Sequence, residues 1–144
     1  MSLSVREVTL TNAASHAKNV KLWQLRDQDP LPTYVKGRTL LIGDAAHAMT
    51  PHQGQGGTQS VEDAEALRLF DDSSVTRDSI FAALQNFDKV RRTRASQIQN
   101  NTRESHERKD PERMFKHNLY NWTYPGVQGC LSNLEAGREM VVLS

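Results

Sequence analysis

The sequence predicts an α/β fold that is mainly helical and contains a few short strands. Residues 39–43 form a short apolar run without alternating polar residues, which indicates a strand buried on both faces. A glycine-rich loop follows, and from Thr58 the apolar residues adopt helical spacing. Apolar residues recur at helical spacing again over about residues 77–108, which predicts a second, longer helix.

The composition excludes several classes of protein. The chain has 144 residues, which suits one domain, and its net charge of +1 gives no argument for binding nucleic acid or an anionic membrane. The sequence has neither an apolar run long enough for a membrane span nor a signal-peptide pattern, so we expect a cytoplasmic protein. Cys130 is the single cysteine, which fits a reducing compartment. The apolar share of 37% predicts a loose core or apolar faces that lack a partner.

The segment between the predicted strand and the first helix has the chemistry of a ligand site. Asp44 follows the strand at its carboxyl end, where open α/β sheets bind ligands, and its carboxylate can accept hydrogen bonds from hydroxyl groups. Gly54, Gly56 and Gly57 carry no Cβ, so a flat ligand can lie against the main chain. The alternative is a strand, a turn and a helix that bind no ligand. The glycines together with Asp44 make this alternative the weaker of the two interpretations.

Known nucleotide and metal motifs do not account for this segment. Gln59 stands where GxGxxG needs its third glycine, and the chain contains no GxxxxGK[ST], so the loop is not itself a diphosphate cradle. His47 and His52 lack the HExxH spacing, so we expect no metal site.

Residues 43–64, GDAAHAMTPHQGQGGTQSVEDA, resemble the second FAD-contacting motif, the GD motif, of flavin-dependent aromatic monooxygenases. The salicylate-hydroxylase-like group is the most similar. Weaker similarity extends back to Trp23 and forward to about Arg94. The resemblance implies that the chain is the carboxyl-terminal part of a FAD-binding Rossmann-like domain.

The resemblance also implies a set of flavin contacts. Asp44 would hold the ribityl chain of FAD, and Pro51 with the backbone of residues 54–58 would lie along the isoalloxazine ring. The cofactor-binding residues expected on this basis are Gly43, Asp44, Pro51, Gly54, Gln55, Gly56, Gly57 and Thr58. The implied reaction is hydroxylation of a small aromatic or polyketide-like ring with NAD(P)H and O2. No catalytic acid or base stands out in the sequence.

The chain departs from the family in one respect. Such enzymes begin with a βαβ unit whose GxGxxG holds the ADP half of FAD, and this chain contains no GxGxxG. Two hypotheses follow. The chain is either a monooxygenase segment that works with a partner polypeptide, or a non-catalytic remnant that binds another chain without flavin turnover. Because an apolar strand at 39–43 needs sheet neighbours, we expect either self-association, through that strand and the Ile80/Leu84/Phe87 stripe, or a partner polypeptide.

Prolines and composition divide the chain into three segments. Residues 1–32 are expected to be a remnant of the substrate domain, with a helix over 2–19, a strand over 20–25 and a rigid proline-containing connection. Residues 33–109 form the FAD-side segment with the long helix.

Residues 110–144 are expected to form a helical tail. A short helix follows Pro111, the chain turns at residues 124–126, and a further helix covers 131–139. Residues 141–143 form a loose apolar end, with a short strand as the alternative.

The first helix carries two expectations about its faces. Its buried stripe is predicted to contain Val61, Ala64, Leu67 and Phe70. Ser60 and Asp63 have the spacing of a capping box. Glu62 and Asp63 as a catalytic pair is the less favoured interpretation, since neighbours on a helix point about 100° apart.

The second helix is predicted to be capped by Thr76 or Asp78. Its apolar stripe is expected to contain Ile80, Leu84, Phe87, Val90 or Arg91, and Ile98. Its arginines have two interpretations, a phosphate-binding run or a solvated face paired with acids, and the second is favoured. These arginines are Arg91, Arg92, Arg94 and Arg103.

Overall fold

The computed structural model describes residues 15–71, 73–105 and 110–142. Its elements in chain order are β1 (Val35–Lys36), β2 (Thr39–Leu40), α1 (Asp44–His47), α2 (Gly56–Ala66), α3 (Ile80–Glu104), α4 (Pro111–Trp122) and α5 (Gly126–Glu135). Short 3₁₀ turns cover Pro51–Gln53 and Leu67–Phe70. The prediction of a mainly helical fold with short strands is confirmed.

The long helix α3 lies at the centre of the fold. Leu84, Phe87, Val90 and Ile98 repeat at helical spacing and are buried as predicted, because α1, α2, α4 and α5 all pack against α3. Phe87 also packs against Phe70, with ring centroids 6.3 Å apart. Replacing Phe87 by alanine should cost about 3–5 kcal/mol of stability. The rest of the core is supplied by Tyr34, Ala46, Ala66, Val127, Cys130, Met140 and Val141.

Helix α3 begins after a hydrogen-bonded turn. The Thr76 N–H donates to Ser79 Oγ at 2.8 Å, and the Ser79 N–H donates back to Thr76 Oγ1 at 3.3 Å. These bonds close the turn before the helix. The N-cap is Ser79, whose side chain does not cap the helix, so the predicted cap at Thr76 or Asp78 is wrong, and the helix begins at Ile80 rather than near residue 77. The predicted end near residue 108 lies outside the described residues.

The strand predicted over residues 39–43 is wrong in length and in burial. β2 contains only Thr39 and Leu40, and it pairs antiparallel with β1. Ile42 is 46% exposed, so the apolar run is not buried on both faces. Among the described residues no further strand pairs with β2, and a strand covered on both faces needs such neighbours.

Residues 20–25 do not form the predicted strand. They carry no regular structure, and the side chains of Leu22 and Trp23 are exposed, because no described strand lies beside them. The helix expected over 2–19 falls mainly outside the described residues, and residues 17–19 are not helical. The connection at residues 29–32 contains no helix or strand, as predicted.

Helix α4 begins where Pro111 predicts. The Asp110 carboxylate accepts hydrogen bonds from the N–H groups of Glu112 and Arg113, which caps the first turn. Phe115 and Trp122 are 62% and 73% exposed, so most of the apolar side of α4 is not covered by described residues.

Helix α5 starts earlier than the predicted 131–139. Gly126 has a φ of 80°, which lets the chain enter the helix directly after Pro125. Val141 is buried in the core rather than loose, and residues 141 and 142 form no strand. No helix in the described part of the chain is long and apolar enough to cross a membrane.

Candidate functional site

Two glycines shape the segment between the hairpin and α2. Gly43 has φ 59° and ψ −145°, and Gly54 has φ 64° and ψ 24°. Residues with a Cβ rarely adopt either conformation, and that of Gly43 lies near a region almost confined to glycine. The N–H of Gly54 closes its 3₁₀ turn on the Pro51 carbonyl at 3.0 Å. The course of this backbone therefore depends on glycine at both positions.

The first turn of α2 is bare backbone. The helix starts at Gly56, before the predicted start at Thr58, and the side chain of its N-cap residue Gln55 does not cap it. A Cβ added at Gly56 or Gly57 would meet no atom within 4 Å. A flat molecule can therefore approach the main chain here.

Asp44 lies in the first turn of α1, and its side chain is exposed. No hydrogen bond or ion pair joins its carboxylate to another described residue, so both oxygens can accept hydrogen bonds from a ligand. The predicted site residues lie within one segment of the chain, and none is buried: Gly43, Asp44, Pro51, Gly54, Gln55, Gly56, Gly57 and Thr58.

A buried carboxylate on α2 ties this segment to the core. Asp63 Oδ2 accepts hydrogen bonds from the Gly43 N–H at 2.8 Å and from His47 Nε2 at 2.7 Å. Its other oxygen, Oδ1, accepts from Arg91 Nε at 2.8 Å. Burial on its own raises the pKa of Asp63, but the bonds from His47 and Gly43 and the charge of Arg91 outweigh it and hold the pKa below 3.8. Asp63 is therefore ionised at neutral pH.

Glu62 extends the same network from the neighbouring position. Its carboxylate accepts hydrogen bonds from Arg91 Nη1 at 2.6 Å and from Arg94 Nε at 2.8 Å. Both arginines are fully buried. Burial alone lowers the pKa of Arg91, but the charges of Glu62 and Asp63 outweigh it and raise the pKa. Both carboxylates are therefore paired with arginines. This supports a structural role for Glu62 and Asp63 rather than a role as a catalytic pair.

The buried face of α2 is polar, which corrects the predicted apolar stripe. Val61 is 70% exposed, and Ala64 and Leu67 are exposed as well, while Phe70 alone of the predicted stripe packs against the core. The residues of α2 that are buried are Gln59, Glu62, Asp63 and Ala66. This polar face can be buried because the arginines of α3 neutralise it.

The predicted capping box is also wrong. Asp63 binds Gly43 and His47, and Ser60 Oγ donates to the Gly56 carbonyl at 3.3 Å instead. Neither side chain reaches the first N–H groups of α2, which stay uncapped.

The interpretation of the α3 arginines as partners of acids is confirmed, but only some of them are solvated. Arg92 pairs with Asp88 at 3.0 Å and Arg103 with Asp27 at 2.6 Å, and both arginines are about a third exposed. Arg91 and Arg94 are instead fully buried. All four arginines form ion pairs with carboxylates, which argues against a phosphate-binding run.

Comparison with known proteins assigns the chain to a family. The family model described as FAD binding domain matches residues 5–102, more than half of the chain. The chain belongs to this family. Together with the relatives and the solved structure described below, this match confirms the resemblance to flavin-dependent aromatic monooxygenases.

Curated relatives of this FAD-binding chain are named as hydroxylases or monooxygenases. It is 47% identical over 94 residues to a salicylate hydroxylase of Pseudomonas putida, covering 62% of this chain and 22% of the relative. It is 35% identical over 117 residues to 6-hydroxynicotinate 3-monooxygenase of Bordetella bronchiseptica, covering 76% of this chain and 29% of the relative.

A solved structure matches as well. A salicylate hydroxylase in a substrate complex matches with a TM-score of 0.56 and 44% identity, covering 79% of this chain and 25% of the other. The FAD-binding chain thus spans about a quarter of the length of these proteins.

Gln53 is a residue of the FAD-binding chain that the sequence did not single out. Its Nε2 donates to Ser105 Oγ at 2.7 Å, and its Oε1 accepts from Asn121 Nδ2 at 3.0 Å. These bonds fasten the 3₁₀ turn between Pro51 and Gly54 to the end of α3 and to α4. A long polar side chain inside a glycine- and proline-rich loop was the available signal.

The residues of this segment fit the cofactor that the family implies. Asp44 offers an acceptor without a described partner, and the start of α2 offers open backbone, which suit a ligand with hydroxyl groups and a flat ring. The described residues contain no cluster of His, Cys, Asp and Glu that could hold a metal ion.

Proposed function

We propose that this chain forms the flavin-ring side of the FAD site of an aromatic-ring monooxygenase that uses NAD(P)H and O2. The observation that carries the proposal is the segment from Gly43 to Thr58, which contains both an exposed carboxylate without a described partner and two uncrowded glycines at a helix start. A polar acceptor and bare backbone are what a ligand with a hydroxylated chain and a flat ring requires.

Each part of the segment has a proposed role toward FAD. Asp44 accepts hydrogen bonds from the ribityl hydroxyls, and Gly43 sets the direction in which Asp44 leaves the hairpin. Pro51 and the backbone of residues 54–58 lie along the isoalloxazine ring, where the uncapped N–H groups of α2 suit a negative charge that develops on the ring. Bound FAD would supply the redox chemistry with NAD(P)H and O2.

The substrate is proposed from the relatives. Their names specify salicylate, 6-hydroxynicotinate and 3-hydroxybenzoate, which are small aromatic rings with polar substituents. We therefore expect a small aromatic substrate. The buried acids Glu62 and Asp63 are held by arginines and are poor candidates for proton transfer to it.

The ADP half of FAD needs a binding unit with a GxGxxG, and this chain contains no GxGxxG. We propose that a further polypeptide segment supplies this unit, in a reducing, cytoplasmic setting. The exposed apolar side chains of Leu22, Trp23 and Ile42 support the proposal, since they are available for packing against such a segment.

A titration of the purified chain with FAD tests the proposal. Even if binding is weak, we expect changes in the backbone amide chemical shifts that are confined to residues 43–58. We also expect the absorption bands of the flavin to change on mixing. Asp44→Ala should weaken binding by about 1.5–3 kcal/mol, whereas Asp78→Ala, which changes an exposed aspartate before α3, should not. Absence of any shift at saturating FAD would overturn the proposal.

An NADH-depletion assay separates the enzymatic proposal from the non-catalytic alternative. The chain with FAD alone should consume no NADH above background. Consumption should appear when a polypeptide carrying the ADP-binding unit is added. Flavin binding with no consumption in either case would favour the non-catalytic remnant.

A further inference from the structure

One carboxylate oxygen holds both ends of the turn that carries Asp44. Asp63 Oδ2 accepts from the N–H of Gly43, the N-cap of α1, and from Nε2 of His47, the last residue of α1. The distances are 2.8 Å and 2.7 Å. Since α1 contains only four residues, these two bonds fix the whole turn relative to α2.

Asp63 is itself held rigidly. Arg91 donates from Nε to Asp63 Oδ1 at 2.8 Å, and from Nη2 to the Gln59 carbonyl at 3.0 Å. The side chains of Asp63 and His47 are only 2% and 1% exposed, so water does not compete for these bonds. A buried charge with every partner in place has one favoured arrangement.

The hydrogen bond to Asp63 constrains the unusual backbone conformation of Gly43. A φ of 59° with a ψ of −145° is sparsely populated and persists only when its surroundings enforce it. The bond from the Gly43 N–H to Asp63 is such a constraint. Asp44 follows Gly43 directly and has no described partner of its own, so its direction is inherited from Gly43 and α1.

We propose that Asp63 is a positioning residue of the flavin site, which holds α1 by both ends and thereby aims the Asp44 carboxylate. This inference rests on the function proposed above. It assigns Asp63 no contact with the cofactor. A purely structural role in the α2–α3 ion-pair network is the competing explanation.

The first test observes the clamp without any flavin. In Asp63→Asn the Gly43 amide should exchange with solvent about tenfold faster, because a charge-assisted bond becomes a neutral one. Glu65→Gln is the matched control. Glu65 lies on the same helix, but its carboxylate accepts from Val127 N–H and Tyr124 OH, away from α1. Equal Gly43 exchange in the wild type and Asp63→Asn would overturn the inference.

The second test is a double-mutant cycle on the FAD dissociation constant. Asp63→Asn should weaken FAD binding about tenfold when Asp44 is present, and by less than about twofold in the Asp44→Ala background. A structural role alone would weaken binding equally in both backgrounds, and that result would overturn the inference while leaving the proposed function intact. A wild-type chain that shows no FAD response would overturn both.

His47→Phe keeps the test decisive if Asp63→Asn does not fold. It removes one of the two α1 donors and leaves the Asp63–Arg91 ion pair in place. The same loss of FAD affinity, again confined to the background that contains Asp44, is expected. Unchanged affinity in folded His47→Phe would contradict the claim that both ends of α1 must be held.

Discussion

Glu62 and Arg94 face each other in a two-point ion pair inside the protein. Arg94 Nε donates to Oε2 at 2.8 Å and Nη2 donates to Oε1 at 2.9 Å, with side-chain exposures of 0% for Arg94 and 7% for Glu62. This parallel arrangement is the strong form of an arginine–carboxylate contact. The charges of this buried network offset each other's desolvation, and loss of Arg94 leaves two buried carboxylates, Glu62 and Asp63, with Arg91 as their shared arginine.

Arg94→Met should therefore destabilise the chain by about 3–5 kcal/mol in urea unfolding. Arg92→Met is the matched control on the same helix, because Arg92 is 33% exposed and pairs with Asp88 at i and i+4. The control should cost less than about 1 kcal/mol. Equal losses in the two variants would mean that burial of the Glu62–Arg94 pair does not determine its contribution.

Acid stability should depend on Asp63. Its folded-state pKa lies below its ordinary value of 3.8, so the stability that it contributes is present above that value and is lost as pH falls through the folded pKa. Unfolding free energy should fall more steeply with acid below about pH 4 in the wild type than in Asp63→Asn. The difference should persist in high salt, because the group is buried. Parallel curves would refute it.

Gly56→Val and Gly57→Val should leave unfolding free energy nearly unchanged, since an added Cβ meets no neighbour within 4 Å at either position. Both should abolish the FAD response if the ring lies against this backbone. Ala82→Val, at an exposed position in the first turn of α3, controls for a β-branched residue at a helix start. Undiminished FAD binding in the glycine variants would mean that the ring lies elsewhere.

Cys130 should react slowly with a thiol reagent in the folded chain. It is fully buried, and burial raises its pKa to about 11, so only about one thiol in a thousand is ionised at pH 8. Modification at pH 8 should be at least about 100-fold slower than in urea and should follow the unfolding curve. Because Cys130 is the single cysteine, Cys130→Ser provides the blank. Rapid modification in native buffer would mean that α5 opens locally.

The isolated chain should self-associate through its exposed apolar side chains. Leu22, Trp23 and Ile42 are exposed, and an apolar cavity of about 430 Å³ lies beside the hairpin. A chain carrying Leu22→Ser and Trp23→Ser should scatter as a smaller species with unchanged unfolding free energy. Val61→Ser, an isolated exposed valine on α2, should not alter the mass. A monomeric wild type would contradict the expectation.

The Leu84/Phe87 side of α3, which the sequence offered as a second association surface, is not available. Leu84 and Phe87 are buried within the chain, so they cannot pack against a partner. The same apolar spacing that predicted α3 correctly is satisfied by intramolecular packing against α2 and α5.

The sequence pattern predicted correctly those helices whose position depends on residues close together in the chain. Helix α3 and the start of α4 follow from apolar spacing and from Asp110 with Pro111. The polar burial of α2 could not be predicted in this way, because Glu62 is stabilised by Arg94 at a sequence distance of 32 residues. Hydropathy places such a carboxylate on the surface until its partner in space is known.

The strand predictions failed for a related reason. A strand is stable only when another strand accepts its backbone hydrogen bonds. Residues 20–25 have suitable side chains but no described strand beside them. The candidate flavin contacts stay predictions, and they rest on the resemblance of residues 43–64 to the family's motif.

Arg94 also acts at the far end of α4. Its Nη1 and Nη2 donate to the carbonyls of Tyr120 and Asn121, while the Asp110 carboxylate binds the N–H groups of the first turn. The macrodipole of α4 is thus compensated at both poles, by its own residue at the start and by a cation from α3 at the end. Because that cation is in place only after α2 and α3 have paired, α4 should be the last of these helices to fold and the first to melt.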